Sequence, residues 1–121
     1  MTPKLAHRSQ AGVKFARIVF WIGGAFGVAA LVPLYRAPGN AMYYGFLATL
    51  VAWQCAFFVI GWEPRRFRPL MIPAVLEKLL WMITLTVLHF QGQVSPLDLA
   101  LNAATHGLLG VLFAIAFVWT K

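Results

Sequence analysis

Apolar residues run almost unbroken through four stretches of this chain, from about Val13 to Leu34, Met42 to Gly61, Leu70 to Phe90 and Pro96 to Thr120. Each is close to the ~20 residues that an α-helix needs to cross the hydrocarbon of a bilayer. Turn chemistry separates them: YRAPGN at 35–40, WEPRRFRP at 62–69 and QGQVS at 91–95. Connections this short make successive helices antiparallel neighbours. The expected fold class is therefore all-α, an up-down-up-down four-helix transmembrane bundle, forming one integral membrane domain over residues 1–121. Ser95 fits an N-cap, Pro96 the first helical position and Asp98 the third, so the last helix marks its own start.

Composition agrees with that pattern. Of 121 residues, 61% are hydrophobic and only 11% charged, where a soluble domain carries about 25%. A soluble core of this length could not hide so much apolar surface, so most of the chain must face lipid. The net charge of +7 does not point to nucleic acid, because the basic residues sit in short flanks between the apolar runs. Lys4, Arg8, Lys14 and Arg17 precede or open the first helix, Arg65, Arg66 and Arg68 fill the second loop, and Lys121 ends the chain. The positive-inside rule then places both termini in the cytoplasm. The first apolar stretch is too long for a signal peptide and has no clear cleavage site, so it reads as a retained helix. Arg65, Arg66 and Arg68 are placed to meet anionic headgroups. Cys55 is the single cysteine, which excludes an internal disulfide and a thiolate metal cluster.

Small residues mark expected packing faces: Gly23 and Gly27 on the first helix, Gly45, Thr49, Ala52 and Ala56 on the second, and Ala103, Gly107, Gly110 and Ala114 on the fourth. In lipid such stripes let helices approach closely, either within the bundle or between copies or partner proteins.

A few polar residues interrupt the oil. Counting at 1.5 Å per residue, Trp21, Gln54 and Glu77 fall in one layer about 12 Å from the basic end. An indole donor, an amide and a carboxyl could satisfy one another there, with Arg17 as an ion partner for Glu77. Otherwise Glu77 would have to be carried as the neutral acid. Lys78, the next residue, points about 100° away and is expected to snorkel alone to the headgroups. Asp98, Asn102 and His106 share a face of the fourth helix, with His106 about 12 Å below Asp98 by helical rise. A direct Glu77–His106 pair is not expected, and His89 reads as interfacial. The scattered ligand types call for no metal and no cofactor, and neither a nucleophile–base pair nor a phosphate-binding glycine loop is present.

The block AWQCAFFVIGWEPRRFRPLMIPAVLEKLLW, residues 52–81, resembles a group of small bacterial membrane proteins that have no assigned activity. In size and layout the chain also looks like the DoxX-like four-helix membrane proteins. The resemblance implies the fold and a bacterial inner-membrane location, and it supplies no functional motif. Three functional classes are then open. The first is an accessory or structural membrane protein whose polar layer around Glu77 fixes helix register. The second is a binding protein or carrier for a small apolar molecule, with a pocket among Trp21, Trp53, Gln54, Glu77, Trp81 and His106. The third, least favoured, is an enzyme on a lipid-soluble substrate with Glu77 as acid or base.

Overall fold

The computed structural model describes residues 3–121, apart from the side chains of residues 5–9, so the expected topological role of Arg8 lies outside the described residues. Four long helices make up the chain: α1 (Pro3–Leu31), α2 (Ala41–Trp62), α3 (Met71–Phe90) and α4 (Pro96–Trp119). No strand occurs among the described residues. Helix α1 starts ten residues before the apolar run does, because hydropathy marks where lipid begins and not where the backbone starts to coil. It ends at Leu31, three residues short of the expected Leu34, where Pro33 stands in a 3-10 turn over Val32–Arg36, and the other boundaries fall within a residue of those expected.

Local chemistry explains the ends. Asn40 Oδ1 accepts from the Tyr43 amide at 2.9 Å to cap α2, and Ser95 Oγ accepts from the Asp98 amide at 3.1 Å to cap α4, as its sequence predicts. Helix α3 ends on Gly92 at φ +76, with the Gln93 amide bonded back to Leu88 O at 2.9 Å. A left-handed residue at that point is best supplied by glycine. His89 Nδ1 lies 2.8 Å from Val94 O and ties the loop to the helix it leaves.

Helix α1 packs on both α2 and α4, and α3 packs on α4. Helices α2 and α3 scarcely touch, although they are joined by a short loop. This departs from the expectation that every successive pair would be close neighbours. The core explains why the bundle holds without that contact. Phe20 stacks on Phe113 with centroids 4.2 Å apart, and Phe57 meets both edge-on. Ala16, Val19, Ile60, Met71, Ala74, Leu109 and Ala116 complete the cluster. All of these residues lie toward the end that carries the N- and C-termini, so that end is solid.

Glycines set the close approaches. A Cβ on Gly12 would strike the Trp119 carbonyl, and one on Gly23 would lie 2.8 Å from the Phe113 ring. The small-residue face expected on α2 is different: Gly45, Thr49 and Ala52 are exposed, and Gly45 has nothing near it. Large side chains fill the buried face of that helix, namely Leu47, Gln54, Phe57 and Ile60. On α4 the buried positions are likewise Leu109, Phe113 and Ala116; of the two stripe glycines, Gly110 meets a neighbouring helix tightly and Gly107 does not.

The two arginines nearest the helix ends act as caps. Arg17 Nε donates to Gly61 O at 3.1 Å, and Arg68 Nε donates to Phe117 O at 2.9 Å with its guanidinium 3.9 Å over the Phe117 ring. Cations at the C-terminal ends of α2 and α4 oppose the negative pole of each helix and take up its spare carbonyls. Arg17 is therefore not the ion partner of Glu77.

The outside of the bundle is apolar. Ile18, Ile22, Phe46, Leu79, Ile83, Leu108 and Val111 are all exposed, where a water-borne bundle would present charge. All four helices are long and apolar enough to cross a membrane. The chain has the build of a small integral membrane protein.

Candidate functional site

On α3 the buried face runs Met71, Ala74, Lys78. These spacings of three and four put Lys78 inward, at 2% exposure, instead of at the headgroups. Gly110 opposite admits the lysine stem, since a Cβ there would lie 2.9 Å from Lys78 Cβ. The ammonium stands 3.2 Å from His106 Nδ1, 5.4 Å from the centroid of Phe57 and 3.4 Å from Glu77 Oε2. Successive residues thus do meet, because the lysine is long enough to bend back to the carboxyl beside it. Lys78 and Glu77 form an ion pair, and Glu77 Oε2 is buried without a hydrogen bond.

A π-helical turn over Ala103–Gly107 carries His106. The Leu108 amide bonds to Ala103 O across the widened turn, and the Thr105 hydroxyl takes up Leu101 O at 3.0 Å. Such a turn adds one residue to the helix and re-aims the side chains around it, often at functional sites. Here it holds the His106 ring beside Trp81, centroids 5.0 Å apart, and edge-on to Phe26. One turn earlier, Asn102 Oδ1 accepts from Trp81 Nε1 at 3.1 Å while its amide donates to Asp98 O at 2.8 Å. Four polar side chains of α3 and α4 are therefore linked in two cross-helix bonds.

The same side chains form one wall of a cavity of about 200 Å³. Leu50 and Gln54 of α2, the end of α1 from Gly27 to Leu31, and Leu34 just beyond it supply the rest. Gly27 matters because any Cβ there would collide with the Gln54 side chain. The Gln54 amide donates to Leu50 O at 3.0 Å, leaving Oε1 buried with no donor. Outside this cavity, in the gap between α2 and α3, lies an apolar groove of about 720 Å³. It follows α3 from Pro73 to Leu88, roughly 22 Å of helical rise. Leu50, Glu77 and Trp81 border both spaces. A polar chamber thus adjoins an open apolar trough on the outside of the bundle.

Of the six residues proposed from sequence, Gln54, Glu77, Trp81 and His106 surround this chamber. Trp21 does not. Its indole donates to Phe58 O at 3.3 Å and packs over Gly61, at the solid end and partly outside the bundle. The expected layer of Trp21, Gln54 and Glu77 is not assembled. Trp53 packs edge-on to Phe57 with its Nε1 buried and unbonded. Sequence reasoning left out Lys78 and Asn102. The signal for Asn102 was its place between Asp98 and His106; for Lys78 it was the spacing from Met71 and Ala74. Glu77 and His106, not expected to pair directly, are both within reach of the one Lys78 ammonium.

No group of three or more potential metal ligands occurs among the described residues. No protein-family model, curated protein or solved structure matches the chain.

Proposed function

We propose that this protein binds a single-chain amphiphile that comes in sideways from the lipid, its chain in the α2–α3 groove and its polar end in the chamber. The observation that carries this reading is the shared border of groove and chamber at Leu50, Glu77 and Trp81. Ligand sites are concave and mostly apolar, with a few convergent polar groups, and intramembrane ionisable residues are functional candidates by default. A purely structural polar layer needs no such opening. Kinship with the DoxX-like proteins and an inner-membrane location belong to the same proposal.

Native mass spectrometry of protein released gently from its own membranes tests it. A stoichiometric apolar adduct is expected, and Leu76→Trp, which fills the groove from its wall, should abolish that adduct while leaving the melting temperature unchanged. Protein that flies bare, or an adduct indifferent to Leu76→Trp, would overturn the proposal. A second reading is favoured by the direction of the cross-helix bonds, since Lys78–His106 and Trp81–Asn102 both tie α3 to α4. On that reading the network is a pin that replaces the missing support of α2.

A further inference from the structure

Two residues that line the chamber, Gln54 and Glu77, each carry a buried oxygen with no hydrogen bond. Gln54 is 2% exposed and its Oε1 is unbonded. Its amide cannot turn over, because Oε1 would then oppose the Leu50 carbonyl that Nε2 now serves at 3.0 Å. Glu77 Oε2 is the second, buried and ion-paired with the Lys78 ammonium at 3.4 Å but with no hydrogen bond of its own. Buried acceptors left unmade are costly, and native proteins keep them mainly where a partner arrives. The nearby donor side chains are engaged elsewhere: Trp81 serves Asn102, and the Asn102 amide serves Asp98 O. Lys78, with three N–H groups, has His106 and Glu77 beside it.

Resting on the binding reading above, we infer that the ligand is a long-chain aliphatic alcohol whose hydroxyl enters the chamber beside Gln54 and Glu77. A hydroxyl both donates and accepts, so it can donate to Gln54 Oε1 and accept from Lys78. The chamber of about 200 Å³ leaves room for a water on Glu77 Oε2. The competing head groups fit less well. A carboxylate or phosphate ester brings acceptors to acceptors and a negative charge to Glu77. An ammonium sets a second cation beside Lys78. An ether or a bare chain leaves both oxygens unmet. The Glu77–Lys78 pair is neutral as a unit, which suits a neutral head.

The test is a competition among three probes of equal chain length, 1-hexadecanol, hexadecyl methyl ether and palmitic acid, each isotopically distinct. They are offered together to the full-length protein in detergent, and the adducts are counted by native mass spectrometry. The alcohol should exceed each competitor by about tenfold, the effect of one unmatched buried hydrogen bond. Gln54→Leu should reduce that preference severalfold while the protein still binds chains and melts no lower than the parent. Equal adducts of alcohol and ether, or dominance of the acid, would overturn the alcohol assignment and leave the groove standing. An undiminished preference in Gln54→Leu would overturn it as well. Absence of all three adducts would overturn both the assignment and the binding reading beneath it.

Discussion

Lys78 shows how much one residue's surroundings decide. A lysine in an apolar helix usually snorkels, yet this one is held inside by the glycine opposite and by His106 and Glu77 within reach. Its removal should therefore matter more than that of the acid. Lys78→Leu leaves Glu77 Oε2 with no cation and His106 Nδ1 with no donor, and should cost about 2–3 kcal/mol. That is short of the ~3–5 kcal/mol for a fully buried pair, because Glu77 stands at the edge of the groove. Unfolding of the variant in detergent, followed by circular dichroism, checks it. Gln54→Leu should do the opposite in the empty protein, leaving stability unchanged or raising it by about 1 kcal/mol as a buried unmade acceptor disappears. A protein that gains stability by losing a polar side chain is one that keeps it for another purpose.

At the scale of the helix, glycine positions divide into those that are used and those that are not. Gly12 lets α1 lie against the last turn of α4, and the atom in the way of any larger residue is a backbone carbonyl, which cannot swing aside. Gly12→Ala should destabilise the bundle by about 1–3 kcal/mol, the usual cost of overpacking. Gly45→Ala meets nothing within 4 Å and should be neutral or stabilising by up to about 1 kcal/mol through helix propensity. Thermal melts of the two variants, side by side, separate a packing glycine from an idle one. The π turn in α4 belongs to this scale too. The sequence put Asp98, Asn102 and His106 on one ideal helical face. The extra residue of the turn rotates the helix beyond Gly107 relative to that face, while Asn102 and His106 both still reach Trp81.

For the whole molecule, a solid end stands against a hollow one. Aromatic packing around Phe20, Phe57 and Phe113 closes one half, while the other half holds the chamber, and the groove runs beside it along α3 where α2 stands away. The first and last helices meet at the solid end, with Gly12 against Trp119, so the termini share a side. The basic residues gathered at that side predict that it is cytoplasmic. A C-terminal fusion should thus give fluorescent green fluorescent protein and inactive alkaline phosphatase; the reverse pattern would reject the assignment.

Four apolar runs with short turns between them determined the fold class, the helix boundaries in lipid and the cap at Ser95, since burial of backbone hydrogen bonds in a bilayer leaves few alternatives to the helix. They also placed Gln54 and Glu77 at one depth. What they could not decide was which face of each helix turns inward. In a soluble bundle the polar face marks the outside, but here α3 is apolar all round, so its sequence does not say whether Glu77 or Lys78 points to the core. Only the packing of α3 on α4 settled that, putting Lys78 inside, Glu77 at the groove and Trp21 away from both. The gap between α2 and α3 was equally invisible, because it follows from α2 packing on α1 while α3 packs on α4, which no residue of the joining loop announces.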